Sequence, residues 1–310
     1  MGTAKSRAAS NNASGGQDCL HHFNSLDALL DYVGQSKQGG VWQKQGQNYS
    51  LTNSSSFAGS LTVDDTMDMC RTLRGYELPE RIRTIDSLAA ELEGQLPPAL
   101  CPRRQPQWGA HGNAISIHRV LSGRLGDAWR KTTRTVQPGN APRTLIIPAV
   151  VPSSASAQEI LWGAVATLAL AQAVYAQGAR VEIWACGWHM HALGDSYGNG
   201  KDYRWICPLI RSGERFSPQL LALTTYPAWS RRLSFRLLEM AAEDWTGGVH
   251  DACYGRGVAS PGQWRAFFGT ELRAILQANP GEIQLGATHG DRIHDRPSAL
   301  KWAQQQLQRQ

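Results

Sequence analysis

The stretch LIIPAVVPSSASAQEILWGAVATLALAQAVYAQGARVEIWACG, Leu145 to Gly187, carries the strongest structural signal in the chain. Leu145 to Val151 is a continuous apolar run, as in a strand buried on both faces. Pro148 within it has no N–H to give, which predicts a bulge or an edge position. Ala157 to Gln177 is apolar nearly all round and about 30 Å long at 1.5 Å per residue, so it predicts a helix buried between layers. Gly178 ends that helix, and Arg180 to Cys186 reads as a second strand. Strand, helix and strand within about 45 residues make a βαβ unit, whose strands should run parallel through a right-handed crossover. At the joint of the first strand and the helix, Ser156 precedes Glu159 by three positions. That is a capping box, in which the serine oxygen takes the N–H of Glu159 and the carboxylate takes the N–H of Ser156.

Downstream, Tyr203 to Ile210 reads as a third strand after a glycine-rich turn over 194–202. Ser217-Pro218 is a cap followed by proline and opens a helix, which Pro227 interrupts before it resumes over Ala228 to Ala242. A loop over 247–262, an amphipathic helix over 263–277, a strand over 282–287 and a helix over 298–307, capped by Pro297-Ser298, complete the chain. Upstream, Ser25 caps a short helix through Val33, a polar stretch covers 35–56, and Thr62 to Asp65 resembles a capping box before a helix to Leu73. Pro79 opens another helix ending near Gly94. The proline-rich run 97–106 reads as a linker or surface crossing. Short elements follow from Ala114, an alternating piece with a helical turn to Arg124 and another turn over Asp127 to Lys131, before a breaker at 137–140. The expectation is an α/β protein: a sheet flanked by helices over 143–310, preceded by a smaller, mainly helical region over 19–142 and a disordered tail over 1–18.

The 310 residues suffice to bury a core without staples, and 42% hydrophobic with 18% charged residues is the balance of a soluble globular chain. No 18-residue uninterrupted apolar run is present, which argues against a membrane partner. The N-terminal tail lacks the apolar segment of a secretory signal. Six cysteines without a Cys-x-x-Cys pair fit a reducing cytoplasm. A net charge of +6 is enough to favour a polyanion but far from the dense basic stripes of a committed nucleic-acid binder, so charge alone decides nothing.

The strand, helix and strand of Leu145 to Gly187 resemble the opening of a von Willebrand factor A-like domain. In that family an Asp-x-Ser-x-Ser motif at the end of the first strand helps bind a divalent cation. Here Pro152, Ser154 and Ser156 stand in the three places. A hard divalent ion needs anionic oxygen and proline supplies no side-chain ligand. The resemblance therefore implies a sheet platform without its ion, and no cofactor is called for. The chain also resembles proteins encoded by phages and other mobile elements, through FAGSLTVDD (Phe57 to Asp65), GNAISIHRVLSG (Gly112 to Gly123) and YPAWSRRLSFRLLE (Tyr226 to Glu239). That likeness spans most of the chain and implies no particular activity.

Other residues invite chemistry. Cys186, His189 and His191 gather potential zinc ligands past the second strand, with Cys207 or Cys253 as a fourth, although the spacing matches no standard zinc pattern. His250, Asp251 and Cys253 place a thiol near a base, and His289, Asp291 and His294 place imidazoles near a carboxylate beside the last strand. Arg231, Arg232 and Arg236, with Trp229 and Tyr226 nearby, could form a basic and aromatic helix face for nucleic acid or an acidic partner. The plain alternatives are a strand end with loop histidines, polar turns, and a solvated helix face. The leading expectation is a non-enzymatic binding or assembly module of a phage or mobile element that contacts a protein partner. The alternatives are a metal-dependent hydrolase or nuclease, and a nucleic-acid-binding protein.

Overall fold

The computed structural model describes residues 19–35, 61–95, 107–110, 114–131, 143–152, 154–176, 181–193, 201–211, 213–245, 275–276 and 283–308. Before the βαβ unit lie β1 (Cys19–His22), α1 (Leu26–Val33), α2 (Val63–Thr72), α3 (Leu78–Glu93), β2 (Gln107–Gly109), β3 (Ala114–Ile115), α4 (Ile117–Leu121) and β4 (Trp129–Lys131). The unit itself is β5 (Arg143–Pro148), α5 (Ala157–Ala176) and β6 (Val181–Leu193). After it come β7 (Lys201–Ile210), α6 (Pro218–Leu223), α7 (Ser234–Trp245), β8 (Ile283–Leu285) and α8 (Arg296–Gln308). The expected tail, the polar stretch beyond Gln35, the proline-rich run, the 247–262 loop with His250, Asp251 and Cys253, and most of the 263–277 helix lie outside the described residues.

The protein is a mixed α/β fold built on an open five-stranded sheet in the order β1-β7-β6-β5-β8. β5 pairs in parallel with β6 on one side and with β8 on the other, and only β6 and β7 run antiparallel. Pro148 is therefore not on an edge strand. It is the last residue of β5, past the point where β8 has stopped pairing, so its missing N–H interrupts no ladder with that neighbour. β6 runs on to Leu193, well beyond Cys186, because Gly187 does not break it. The Trp205 ring of β7 lies across Gly187, and a Cβ there would sit 1.9 Å from the indole nitrogen. A glycine inside a strand marks such a close approach as readily as an ending.

α5 is buried as its composition demands, with Val165, Leu168 and Leu170 fully inside. It packs against α3 and α8. By length and average composition α5 would also suffice to cross a membrane, polar interruptions notwithstanding; in this fold its apolar surface meets neighbouring helices and the sheet. The N-terminal region shares this core. β1 pairs in parallel with β7 at the sheet edge, and Leu29, Leu30, Leu88 and Leu92 cluster with Leu168, Ile183, Trp205 and Leu237. The amphipathic α1 meets α7 and β7, α2 meets α6 and residues 229–233, and α3 meets α5, α6 and α8. The opposite sheet face carries a smaller cluster of Ile146, Trp184, Cys186, Trp188, Ile206 and Leu276.

β2, β3 and β4 form a three-stranded antiparallel sheet in the order β2-β4-β3. Trp129 to Lys131, expected as a helical turn, is its central strand, paired on both sides. Asp127 anchors the unit, accepting from Arg119 at 2.9 Å and from Arg124. Helix caps follow the sequence at Ser25, Thr62 and Ser217. At α8 the cap is Asp295 rather than Ser298, since the Ser298 N–H donates to its carboxylate at 2.8 Å.

Candidate functional site

The turn after β5 is held by its own sequence and by one distant side chain. Ser156 and Glu159 make the capping box: the Ser156 N–H donates to Glu159 Oε2 at 2.7 Å and the Glu159 N–H to Ser156 Oγ at 3.2 Å. The Ala155 N–H closes a tight turn onto the Pro152 carbonyl at 3.0 Å. Beneath it lies Arg231, only 2% exposed, whose guanidinium donates to the carbonyls of Ala155 and Pro152. Burial lowers the Arg231 pKa to about 10, so the group stays charged at neutral pH. Of the three motif positions, Pro152 offers only a carbonyl to this arginine, Ser156 is occupied with the helix, and Ser154 faces outward. Among the described residues no three His, Cys, Asp or Glu side chains converge as a metal site.

A second loop meets this turn from the end of β8. Thr167 of α5 accepts the Ala287 N–H at 2.8 Å and fixes where the chain leaves the sheet. Thr288 and Asp291 then form a capping box that folds His289–Asp291 into a 3-10 turn. The result aims His289 back at the first turn, with Nε2 3.4 Å from Ser154 Oγ and Nδ1 3.7 Å from Glu159 Oε1. That Nδ1 is buried and makes no hydrogen bond. Burial pushes the Glu159 pKa up, but the Ser156 hydrogen bonds and the nearby His289 and His294 outweigh it, leaving the carboxyl below its usual range and ionised. A cleft of about 40 Å³ adjoins the group, walled by Ile147, Val151, Ala155, Ile160, Ala287 and Thr288. It lies at the carboxyl ends of β5 and β8, where open α/β sheets keep their ligands.

Residues 6–278 match the family described as a domain of unknown function (DUF7192). The chain belongs to this family. No curated protein and no solved structure matches it.

In this DUF7192 chain the other sequence candidates are dispersed. Cys186 and His189 project from opposite faces of β6. Cys186 joins the smaller apolar cluster, and His189 turns to Ser234 of α7 at 3.0 Å. His191 stands apart, 3.8 Å from Asp202. Burial raises the Cys186 thiol pKa well above its ordinary value, which disfavours the thiolate a metal would need. Asp291 is spent on its capping box, and His294 lies beside Asp295 at 3.6 Å rather than facing His289.

Of the residues expected on a basic and aromatic helix face, Arg231, Arg232, Trp229 and Tyr226 are buried, which corrects their placement, and Arg236 stays partly exposed. Arg232 is 7% exposed and donates from Nε to the Leu61 carbonyl at 2.9 Å, and Trp229 is buried. Tyr226 is buried under Arg81, whose guanidinium stacks 3.9 Å from the ring centre, and its hydroxyl donates to Tyr76. Arg236 pairs with Glu239 at 3.3 Å. Arg231 and Arg232 lie within a π turn over Trp229–Leu233. An added residue in one helical turn rotates every later side chain about the axis, so a projection at 3.6 residues per turn places them wrongly.

The exposed apolar surface lies elsewhere. In the 107–131 unit, Ile117, Leu121 and Leu125 are 69%, 81% and 65% exposed, and the cross-strand pair Ile115 and Trp129 is also at the surface. Ile117 and Leu121 are one helical turn apart on the same side of α4.

Proposed function

We propose that the chain is a binding or assembly module of a phage or mobile genetic element that works in the cytoplasm and docks a protein partner through the apolar surface of residues 107–131. The observation that carries this reading is the outward display of Ile117, Leu121 and Leu125 beside Ile115 and Trp129. Contiguous exposed apolar side chains on a folded unit mark a surface awaiting a partner. The contact role needs no chemistry at that surface. The sequence likeness to mobile-element proteins supports the setting, and free thiols at Cys19, Cys70, Cys186 and Cys207 support the compartment.

In this reading the sheet is a von Willebrand A-like platform that has exchanged its ion for Arg231. The parallel β5 and β6 joined by α5, with Pro152, Ser154 and Ser156 on the turn between, support it. Direct nucleic-acid binding is disfavoured because Arg231 and Arg232 are engaged with backbone carbonyls inside the fold.

The test is a paired Ile117→Asp, Leu121→Asp variant, tagged and produced in cells carrying the parent element. Stability should change by no more than about 0.5 kcal/mol, since both side chains are exposed. Proteins crosslinked to residues 107–131 of the unaltered chain should be lost from the variant. An unchanged set of crosslinked proteins would sink the reading.

A further inference from the structure

We propose that Ser154, His289 and Glu159 form a nucleophile–base–carboxylate relay that hydrolyses esters of short acyl groups at the rim of the strand-end cleft. The inference goes beyond the docking reading and concerns a different surface, so either can fail without the other.

A serine becomes a nucleophile when a positioned base can take its proton and a third group orients that base. Each part is present. Ser154 is exposed on the turn between β5 and α5, and His289 Nε2 stands 3.4 Å from its oxygen. The opposite ring nitrogen is buried, lacks a hydrogen bond, and looks at Glu159 Oε1 across 3.7 Å. Glu159 cannot swing away, because Oε2 is tied to the Ser156 N–H at 2.7 Å. The capping box thus holds the carboxylate in place for the histidine, and one oxygen is left to face it. Both gaps slightly exceed hydrogen-bond length, the looseness expected of such groups before substrate closes a site. Ser154 and Glu159 share the turn into α5, and His289 reaches them from the loop after β8 because β8 pairs beside β5.

Substrate class follows from the walls. Ile147, Val151 and Ile160 share the lining of this cleft of about 40 Å³ with Thr167, Thr224 and Ser230, and the space holds only a few water-sized groups. A short acyl chain fits and a bulky one does not.

In the reaction, Ser154 Oγ bonds to the ester carbonyl carbon while its proton passes to His289 Nε2. The carbon–alkoxide bond then breaks, and the alkoxide leaves as an alcohol carrying that proton. Water repeats the sequence: its proton goes to His289, its oxygen bonds to the acyl carbon, and Ser154 departs reprotonated. Ester and water become acid and alcohol, with no redox partner required.

A fluorophosphonate, which phosphonylates activated serines, tests this on the full chain without knowledge of the natural ester. Mass spectrometry should find the adduct on Ser154, and Ser154→Ala should abolish it together with p-nitrophenyl acetate hydrolysis. His289→Asn should slow labelling by roughly 100-fold, the span of general-base assistance. Ser156→Ala, which loses the cap hydroxyl but keeps the backbone bond to Glu159, should melt earlier yet still label. Absence of the Ser154 adduct on folded protein, or labelling indifferent to His289→Asn, would overturn the proposal.

Discussion

His189 shows how much a single residue can impose on the whole. It is fully buried between Ser234 and the stacked ring of Tyr203, and its Nδ1 has no hydrogen bond. Burial lowers its pKa from 6.5 to about 3. Above pH 6.5 both folded and unfolded chains hold it neutral, and it adds no pH dependence. As the pH falls from 6.5 toward 3, the unfolded chain takes a proton that the folded one refuses. Stability should therefore decline across that window, by up to roughly 1.4 kcal/mol per pH unit. Urea unfolding between pH 7.5 and 5 measures the slope, which His189→Phe should flatten. The capping residues at this scale were legible, since Ser156 and Glu159 act through their own backbone. The approach of His289 was not, because nothing in a local pattern tells that a loop more than a hundred residues away will arrive beside Ser154.

Among the elements, β5, α5 and β6 were readable because an apolar run and an all-round apolar helix leave few alternatives. Misreadings arose where one residue broke a period. Gly187 looked like the end of β6, whereas it is the gap that admits Trp205. The π turn at Trp229–Leu233 hid the inward course of Arg231 and Arg232, since helical periodicity assumes a constant turn. Gly187→Ala places a methyl group where the indole lies, so either the ring or the β6–β7 pairing must give. The expected cost is about 3 kcal/mol, at the upper end for overpacking a core, read as a lowered denaturant midpoint. A variant that unfolds like the unaltered chain would mean that Trp205 has room to move.

At the scale of the whole molecule, the sheet flanked by helices was foreseeable and its edge was not. β1 is short and pairs with a strand far along the chain, and such pairings are settled by shared burial rather than by local preference. The consequence is mutual dependence. Residues 143–310 made alone would expose the surfaces of α5 and α7 that meet α3 and α1. That fragment should bind a hydrophobic dye and lose cooperative unfolding, as judged by calorimetry. A sharp, reversible transition from it would show that the C-terminal part holds its own core.

The guanidinium beneath the β5 turn is covalently part of the chain, so the carbonyls of Pro152 and Ala155 carry their donor with them. Neither magnesium starvation nor a chelator removes this contact. Whatever governs access to that crevice must act by occupying it or by rearranging its rim, as in a lock whose tumbler has been soldered in place.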